Sequence, residues 1–230
     1  MRQLIFGFHL FMICAIGTGA SAQTTARETA RIMAMGDSFF AFYRTSQQSI
    51  PDVVASSLKK PVINRAVSGA RIIYRLPISG SMGFSIGKQY RPGQWDWVLM
   101  NGGGNDLWLG CGCGECDTKM DKLISKDGSR GEIPKLVAKV RRGKSRVIYV
   151  GYLRSPGFGS PIEGCRDEGD ELERRLAAMA KQDRGVWFLP VKDLVKPGDK
   201  SYHAADRIHP SLKASREIGK RIARLIAAQQ

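Results

Sequence analysis

The sequence predicts an α/β protein in which a parallel, five-stranded sheet is covered by helices on both faces. Three observations predict it. Five short apolar runs alternate along the chain with segments of helical spacing. The runs are apolar throughout rather than alternately apolar and polar, the pattern of strands buried on both sides. No internal repeat, low-complexity stretch or linker breaks the alternation, and about 208 residues follow a candidate leader, enough for one domain, residues 23–230, with a sizeable core.

The elements follow in order. Residues 30–35 form the first strand, and Gly36-Asp37-Ser38 turns the chain out of it. Residues 46–58 have helical spacing, with Ile50, Val53, Val54 and Leu58 on one side. The second strand spans 61–67. A long connection over 71–96, rich in Gly, Pro and Ser, has the length of functional or mobile loops. The third strand, 95–100, is closed by Gly102-Gly103-Gly104, and a cysteine-bearing loop follows. Helical material over 121–142 precedes the fourth strand, 146–152, and a flexible turn at 157–160. A charged amphipathic helix over 166–182 carries Leu172, Leu176 and Met179 on one face. The fifth strand is 186–191, and a closing helix over 211–228 turns Ile218, Ile222, Leu225 and Ile226 inward.

The N-terminus reads as a secretory signal peptide over 1–22. Arg2, an apolar run and Ala20-Ser21-Ala22 supply its three regions, with cleavage after Ala22. The rival is an uncleaved membrane anchor. Cys14 follows Phe-Met-Ile rather than a small residue, which argues against lipidation. The expected location is periplasmic or secreted, with no stable membrane span after cleavage. The formal charge of +15 then suits anionic envelope polymers or lipid headgroups, or simple solubility, and an exported chain does not meet nucleic acid. The dense basic stretch 139–146 reads as a solvated helix end and loop.

Four cysteines remain beyond the leader: Cys111, Cys113, Cys116 and Cys165. In an oxidising compartment they predict two disulfides. A Cys111–Cys113 bond closes a very tight ring. One bridge is therefore expected within 111–116 and the other from that loop to Cys165. The rival, a four-thiolate zinc site, lacks a second C-x-x-C beside Cys113–Cys116.

In a parallel sheet, ligands bind beyond the carboxyl ends of the strands. There the sequence places Ser38, Gly69, Asn105, Asp206 and His209. A serine hydroxyl needs a base near neutral pH, and imidazole suits that task. Beyond the leader only His203 and His209 are available. His209 has Asp206 three residues earlier, placed to orient the imidazole, while His203 beside Tyr202 reads as ordinary surface. The backbone N–H groups of Ser38 and Gly69 and the Asn105 amide are candidate donors to an oxyanion. The bland readings are a strand-to-helix joint at Ser38, a turn at Gly69, a loop former at Asn105 and a surface pair at Asp206 and His209. The glycine run at 102 lacks the residues of a phosphate loop.

Taken in order, Gly36-Asp37-Ser38, Gly69, Gly103-Gly104-Asn105-Asp106 and Asp206-x-x-His209 resemble the four blocks of the SGNH, or GDSL, hydrolases over nearly the whole chain beyond the leader. The resemblance implies a flavodoxin-like three-layer α/β/α sandwich and serine esterase or acylhydrolase chemistry without metal or organic cofactor. It casts Ser38 as nucleophile, His209 as base, Asp206 as its partner, and Ser38, Gly69 and Asn105 as the oxyanion hole. Two features depart from the family pattern. Phe39, Phe40, Phe42 and Tyr43 follow the serine, an aromatic run expected to pack the first helix more than to wall a pocket. The cysteine loop directly follows the oxyanion asparagine.

The expected function is an exported serine hydrolase cleaving a carboxylic ester through an acyl-enzyme, with a small-molecule, glycan or lipid ester (or thioester) as substrate. The rivals are an O-acyltransferase on envelope polysaccharide and a non-catalytic envelope-binding protein of the same fold.

Overall fold

The computed structural model describes residues 30–229. The leader, its cleavage site and Cys14 lie outside the described residues. Five strands, β1 (Ile32–Met35), β2 (Val62–Asn64), β3 (Trp97–Met100), β4 (Arg146–Val150) and β5 (Val186–Leu189), form one parallel sheet in the order β2-β1-β3-β4-β5. This is the flavodoxin-like order, whose direction reverses between β1 and β3 and opens a crevice at their carboxyl ends.

Period-two alternation sorts the strand side chains into two cores. Met33, Met35, Val98, Met100, Val147 and Tyr149 face one side, against α3 (Gly104–Cys111), α4 (Asp117–Leu123), α5 (Glu132–Arg141) and α6 (Arg166–Ala180). Ile32, Ala34, Trp97, Leu99, Ile148 and Val150 face the other, against α1 (Ser38–Ala41), α2 (Ile50–Leu58) and α7 (Leu212–Ala227). Among the described residues no helix is long and apolar enough to cross a membrane.

Several elements differ from the sequence reading. The helix expected from 46 begins at Ile50, because Ser49 and Asp52 form a reciprocal capping box there and Pro51 occupies the first turn. The second strand shrinks to three residues at the sheet edge, and Trp95 precedes β3 rather than entering it. The largest difference is at 104–123. The expected cysteine loop is helical from Gly104 to Cys111, and a second helix starts at Asp117, four residues before the expected 121. Glycine and cysteine disfavour helix locally, but burial of Leu107, Cys116 and Met120 against the sheet overrides that preference. The four cysteines pair as Cys111–Cys116 and Cys113–Cys165, which decides between the two pairings left open.

The 71–96 connection contains three short helical turns, Pro77–Ser79, Gly80–Phe84 and Ile86–Gln89. It is tied to the sheet rather than loose. The buried Gln89 accepts from the Gly36 N–H at 2.7 Å and donates to the Gly36 and Gly83 carbonyls, each at 2.8 Å.

Candidate active site

Ser38 is the first residue of α1, directly beyond β1. The preceding Asp37 caps that helix, its carboxylate accepting from the Phe39 N–H at 2.9 Å. Asp37 is almost wholly buried and is gripped from two neighbouring strand ends. Asn101, just past β3, donates to it at 3.2 Å and accepts from its N–H at 3.1 Å. Tyr152, just past β4, donates its hydroxyl to Asp37 Oδ2 at 2.5 Å. A Cβ on Gly36 would stand 2.0 Å from Asn101 Oδ1, so this position is glycine because the asparagine occupies that space. Burial raises the Asp37 carboxyl above its ordinary range, opposed by hydrogen bonds from Tyr152, Phe39 and Asn101. Burial and the nearby Asp37 charge raise the Tyr152 phenol well above its ordinary value, so it remains a hydroxyl donor.

Asn105 lies in the first turn of α3, its amide donating one N–H to the Ala70 carbonyl at 3.1 Å. An amide has two N–H donors, so one remains. Asp106 beside it is buried and accepts from the Ile72 and Ile73 N–H groups at 2.9 and 2.8 Å, fastening the Gly69–Ile73 turn to α3. Burial pushes its carboxyl up to about 6 despite those two bonds. Gly69 takes a left-handed φ of 77° in that turn. It is not among the residues lining the pocket described below.

His209 and Asp206 sit on a hairpin before α7, closed by bonds from the Ala204 N–H to the His209 carbonyl and from the Ser211 N–H to the Tyr202 carbonyl. His209 Nδ1 lies 2.6 Å from Asp206 Oδ2, while Asp206 Oδ1 accepts from the N–H groups of Ile208 and His209. Burial acts to raise the Asp206 carboxyl, but the bonds from His209 and Ile208 outweigh it and hold it below the ordinary range.

Ser38, Asn105 and His209 line one pocket of about 100 Å³, together with Leu107, Trp108, Tyr152, Ile162 and Leu172. Cys113 and Cys165 also line it, so their disulfide forms part of its wall. No hydrogen bond joins Ser38 to His209 in this structure. The aromatic run divides its duties. Phe40 is wholly buried in the core, Phe39 packs edge-on to Tyr152 at the pocket, and Phe42 stacks flat on the His209 ring, centroids 4.4 Å apart.

His203 is not ordinary surface. It is buried, on the same hairpin as His209, and neither ring nitrogen has a partner among the described residues. Its backbone pairs with Pro210 across the hairpin. Burial lowers its affinity for a proton below the ordinary imidazole value of 6.5, opposed by Asp206 and Asp199. The unfolded chain therefore binds a proton here that the folded chain refuses, so this histidine costs stability as pH falls through 6.5. Comparing the unfolding free energy of wild type and His203→Leu between pH 8 and pH 5 is expected to show the variant gaining relative to wild type toward acid. An unchanged difference across that range would refute the linkage.

Sequence reasoning missed Asn101, Tyr152 and Gln89. Asn101 had a faint signal, a polar residue ending an apolar strand before three glycines. Tyr152 and Gln89 had none, because their partners are remote in sequence.

Comparisons with known proteins bear on the family and the fold. A family model for the GDSL-like lipase/acylhydrolase family matches residues 34–216. No curated protein matches the sequence. Among solved structures, a protein from Streptococcus pneumonia provisionally described as a platelet activating factor aligns with a TM-score of 0.61 at 15% identity, covering 90% of this chain and 91% of its own. A provisionally assigned SGNH hydrolase from Slackia heliotrinireducens aligns with a TM-score of 0.56 at 19% identity, covering 86% and 99%. A carbohydrate acetylesterase from Sinorhizobium meliloti aligns with a TM-score of 0.55 at 18% identity, covering 87% and 100%. At these identities the likeness is one of fold. With the family model spanning most of the chain and the sheet order of the SGNH fold in place, this protein belongs to the GDSL-like lipase/acylhydrolase family, a family of ester hydrolases.

Proposed function

We propose that the protein is an exported serine esterase that removes short acyl groups, with Ser38 as nucleophile, His209 as base and Asp206 orienting the base. The observation that carries this reading is the meeting of Ser38, Asn105 and an Asp206-bound His209 on one pocket at the β1/β3 crevice. Export is supported by the two disulfides, which persist in oxidising compartments, and by the leader read from the sequence.

In the reaction His209 Nε2 takes the Ser38 proton as Oγ attacks the ester carbonyl carbon. Asp206 accepts a hydrogen bond from Nδ1–H and so holds the imidazole in the tautomer that leaves Nε2 free. The free Asn105 N–H and the backbone N–H of Ser38, both on the pocket, stabilise the carbonyl oxygen as it becomes an alkoxide, and the Gly69 N–H, off the pocket lining, is assigned as a third donor on the family resemblance alone. Collapse of the alkoxide breaks the bond to the leaving alcohol, which departs with the proton from His209. Water, losing a proton to His209, then attacks the acyl-serine, and the bond to Ser38 Oγ breaks as His209 returns that proton to Oγ and the acid leaves.

The pocket volume bears on the acyl group. An apolar cavity of about 150 Å³ accommodates benzene. A pocket of about 100 Å³ lined by Leu107, Trp108, Ile162 and Leu172 therefore suits acyl groups from acetyl to butyryl.

A fluorophosphonate probe tests the nucleophile, because attack by Oγ displaces fluoride and leaves a stable phosphonyl-serine. Peptide mapping is expected to find the adduct on Ser38 and none on folded Ser38→Ala. Labelling elsewhere, or none, would overturn the assignment. A p-nitrophenyl ester series is expected to show turnover falling beyond butyrate. A preference for long chains would sink the acyl-size reading while leaving the nucleophile intact. Acylated polysaccharide formed in place of free acid would identify a transferase instead.

A further inference from the structure

The segment between β2 and β3 carries a feature that ester chemistry does not require. Leu76, Ile78 and Met82 are 64%, 81% and 70% exposed, an unusual concentration of large apolar side chains in solvent. Ile78 and Met82 stand four residues apart within consecutive helical turns, a spacing that puts both on one side. The turn beneath them is well defined. Tyr74 and Ser79 share a hydroxyl–hydroxyl bond of 2.9 Å, and Ser81 donates to the Pro77 carbonyl at 2.9 Å. Lys88 donates its ammonium to the Pro77 carbonyl at 3.1 Å, which sets a positive charge against the apolar turn.

The charge here has one sign. Between Asp52 and Asp96 the sequence contains no acidic residue, while the exposed cations Arg75, Lys88 and Arg91 fall within the connection. Exposed apolar side chains among cations, without anions, suit the boundary of an anionic bilayer, where headgroup charge and acyl chains lie within a few ångströms of one another. A soluble anionic polymer would use the cations and leave the apolar tips in water. The segment is also rigidly tied to the site, through Ile72 and Ile73 on Asp106 and through Gln89 on Gly36. Phe158, 91% exposed, rises beyond β4, its carbonyl accepting from Arg207 of the His209 hairpin.

We propose that the exposed face of residues 74–88 docks the protein on the surface of a bilayer containing anionic phospholipid, with Leu76, Ile78 and Met82 entering the headgroup boundary.

Vesicle flotation tests this with residues 23–230, which contain every described element and both cores. The probes are vesicles of phosphatidylcholine alone and of phosphatidylcholine and phosphatidylglycerol at roughly 2:1. Wild type is expected to float with the anionic vesicles and not with the zwitterionic ones. The variant Leu76→Ser/Ile78→Ser/Met82→Ser keeps every charge and removes only exposed groups. It is expected to keep the wild-type circular dichroism and Tm and to lose affinity for anionic vesicles by about tenfold or more. Absence of wild-type flotation would overturn the proposal. So would equal flotation of the triple variant, which would show that charge alone acts and would point to an anionic polymer as partner. Neither readout depends on enzymatic activity.

Discussion

His209→Ala is expected to lower kcat on p-nitrophenyl acetate by about 10⁴- to 10⁶-fold, with the fold intact. Its ring lies on the pocket wall, stacked on Phe42, and under the proposed mechanism its removal leaves Ser38 without a proton acceptor. Asp206→Asn is the sharper companion. The Asp206 Oδ1 position, which accepts the Ile208 and His209 N–H groups, is still filled by an acceptor oxygen in asparagine, so the turn survives. The new amide instead presents N–H to His209 Nδ1 and favours the tautomer whose Nε2 carries the proton. A loss of about 10³- to 10⁴-fold in kcat with little change in Tm is expected. Near-wild-type rates in both variants would remove His209 and Asp206 from the mechanism.

The second large effect is on stability. Arg154 and Glu173 form an ion pair at 3.0 Å with side chains only 8% and 4% exposed. They hold both backbone groups of Tyr152, Glu173 accepting its N–H and Arg154 donating to its carbonyl, each at 3.1 Å. Through the Tyr152 hydroxyl this grip reaches Asp37 and the Ser38 turn. Arg154→Ala leaves a carboxylate buried without its cation, which is expected to cost about 3–5 kcal/mol at neutral pH. Burial already raises the Glu173 carboxyl, opposed by Arg154, so the variant raises it further. Glu173 then takes up a proton as pH falls, and the deficit is expected to shrink toward pH 5. Arg154→Met/Glu173→Gln, which keeps an acceptor for the Tyr152 N–H, is expected to recover most of the loss. Urea unfolding at pH 7.5 and pH 5 measures all three. A deficit below about 1 kcal/mol for Arg154→Ala would show that the pair is dispensable.

The sheet was legible because its determinants are local. A strand buried on both faces must be apolar throughout, and β1, β3 and β4 announce themselves by that pattern. The order of the carboxyl-edge residues was legible for a related reason. In a parallel sheet each strand delivers the residues that follow it to the same edge, so Ser38 and Asn105 share it whatever the details of packing, whereas His209, twenty residues beyond β5, is brought there by its hairpin.

What the sequence by itself determined was the α/β class, the two-disulfide expectation for four cysteines and the family resemblance on four short blocks. What only the tertiary structure decided were features whose energy comes from contacts between distant residues. Cys113 chose Cys165 because α6 brings Cys165 to the pocket wall. Residues 104–111 became helix because Leu107 could be buried. His203 went inside, where the folded hairpin leaves it 6% exposed. Tyr152 reached Asp37 across 115 residues of chain because β4 ends beside the β1/β3 crevice. Local propensity is worth only tenths of a kcal/mol per residue, whereas burying a large apolar side chain is worth about 1.5–3, so packing prevails wherever the two disagree.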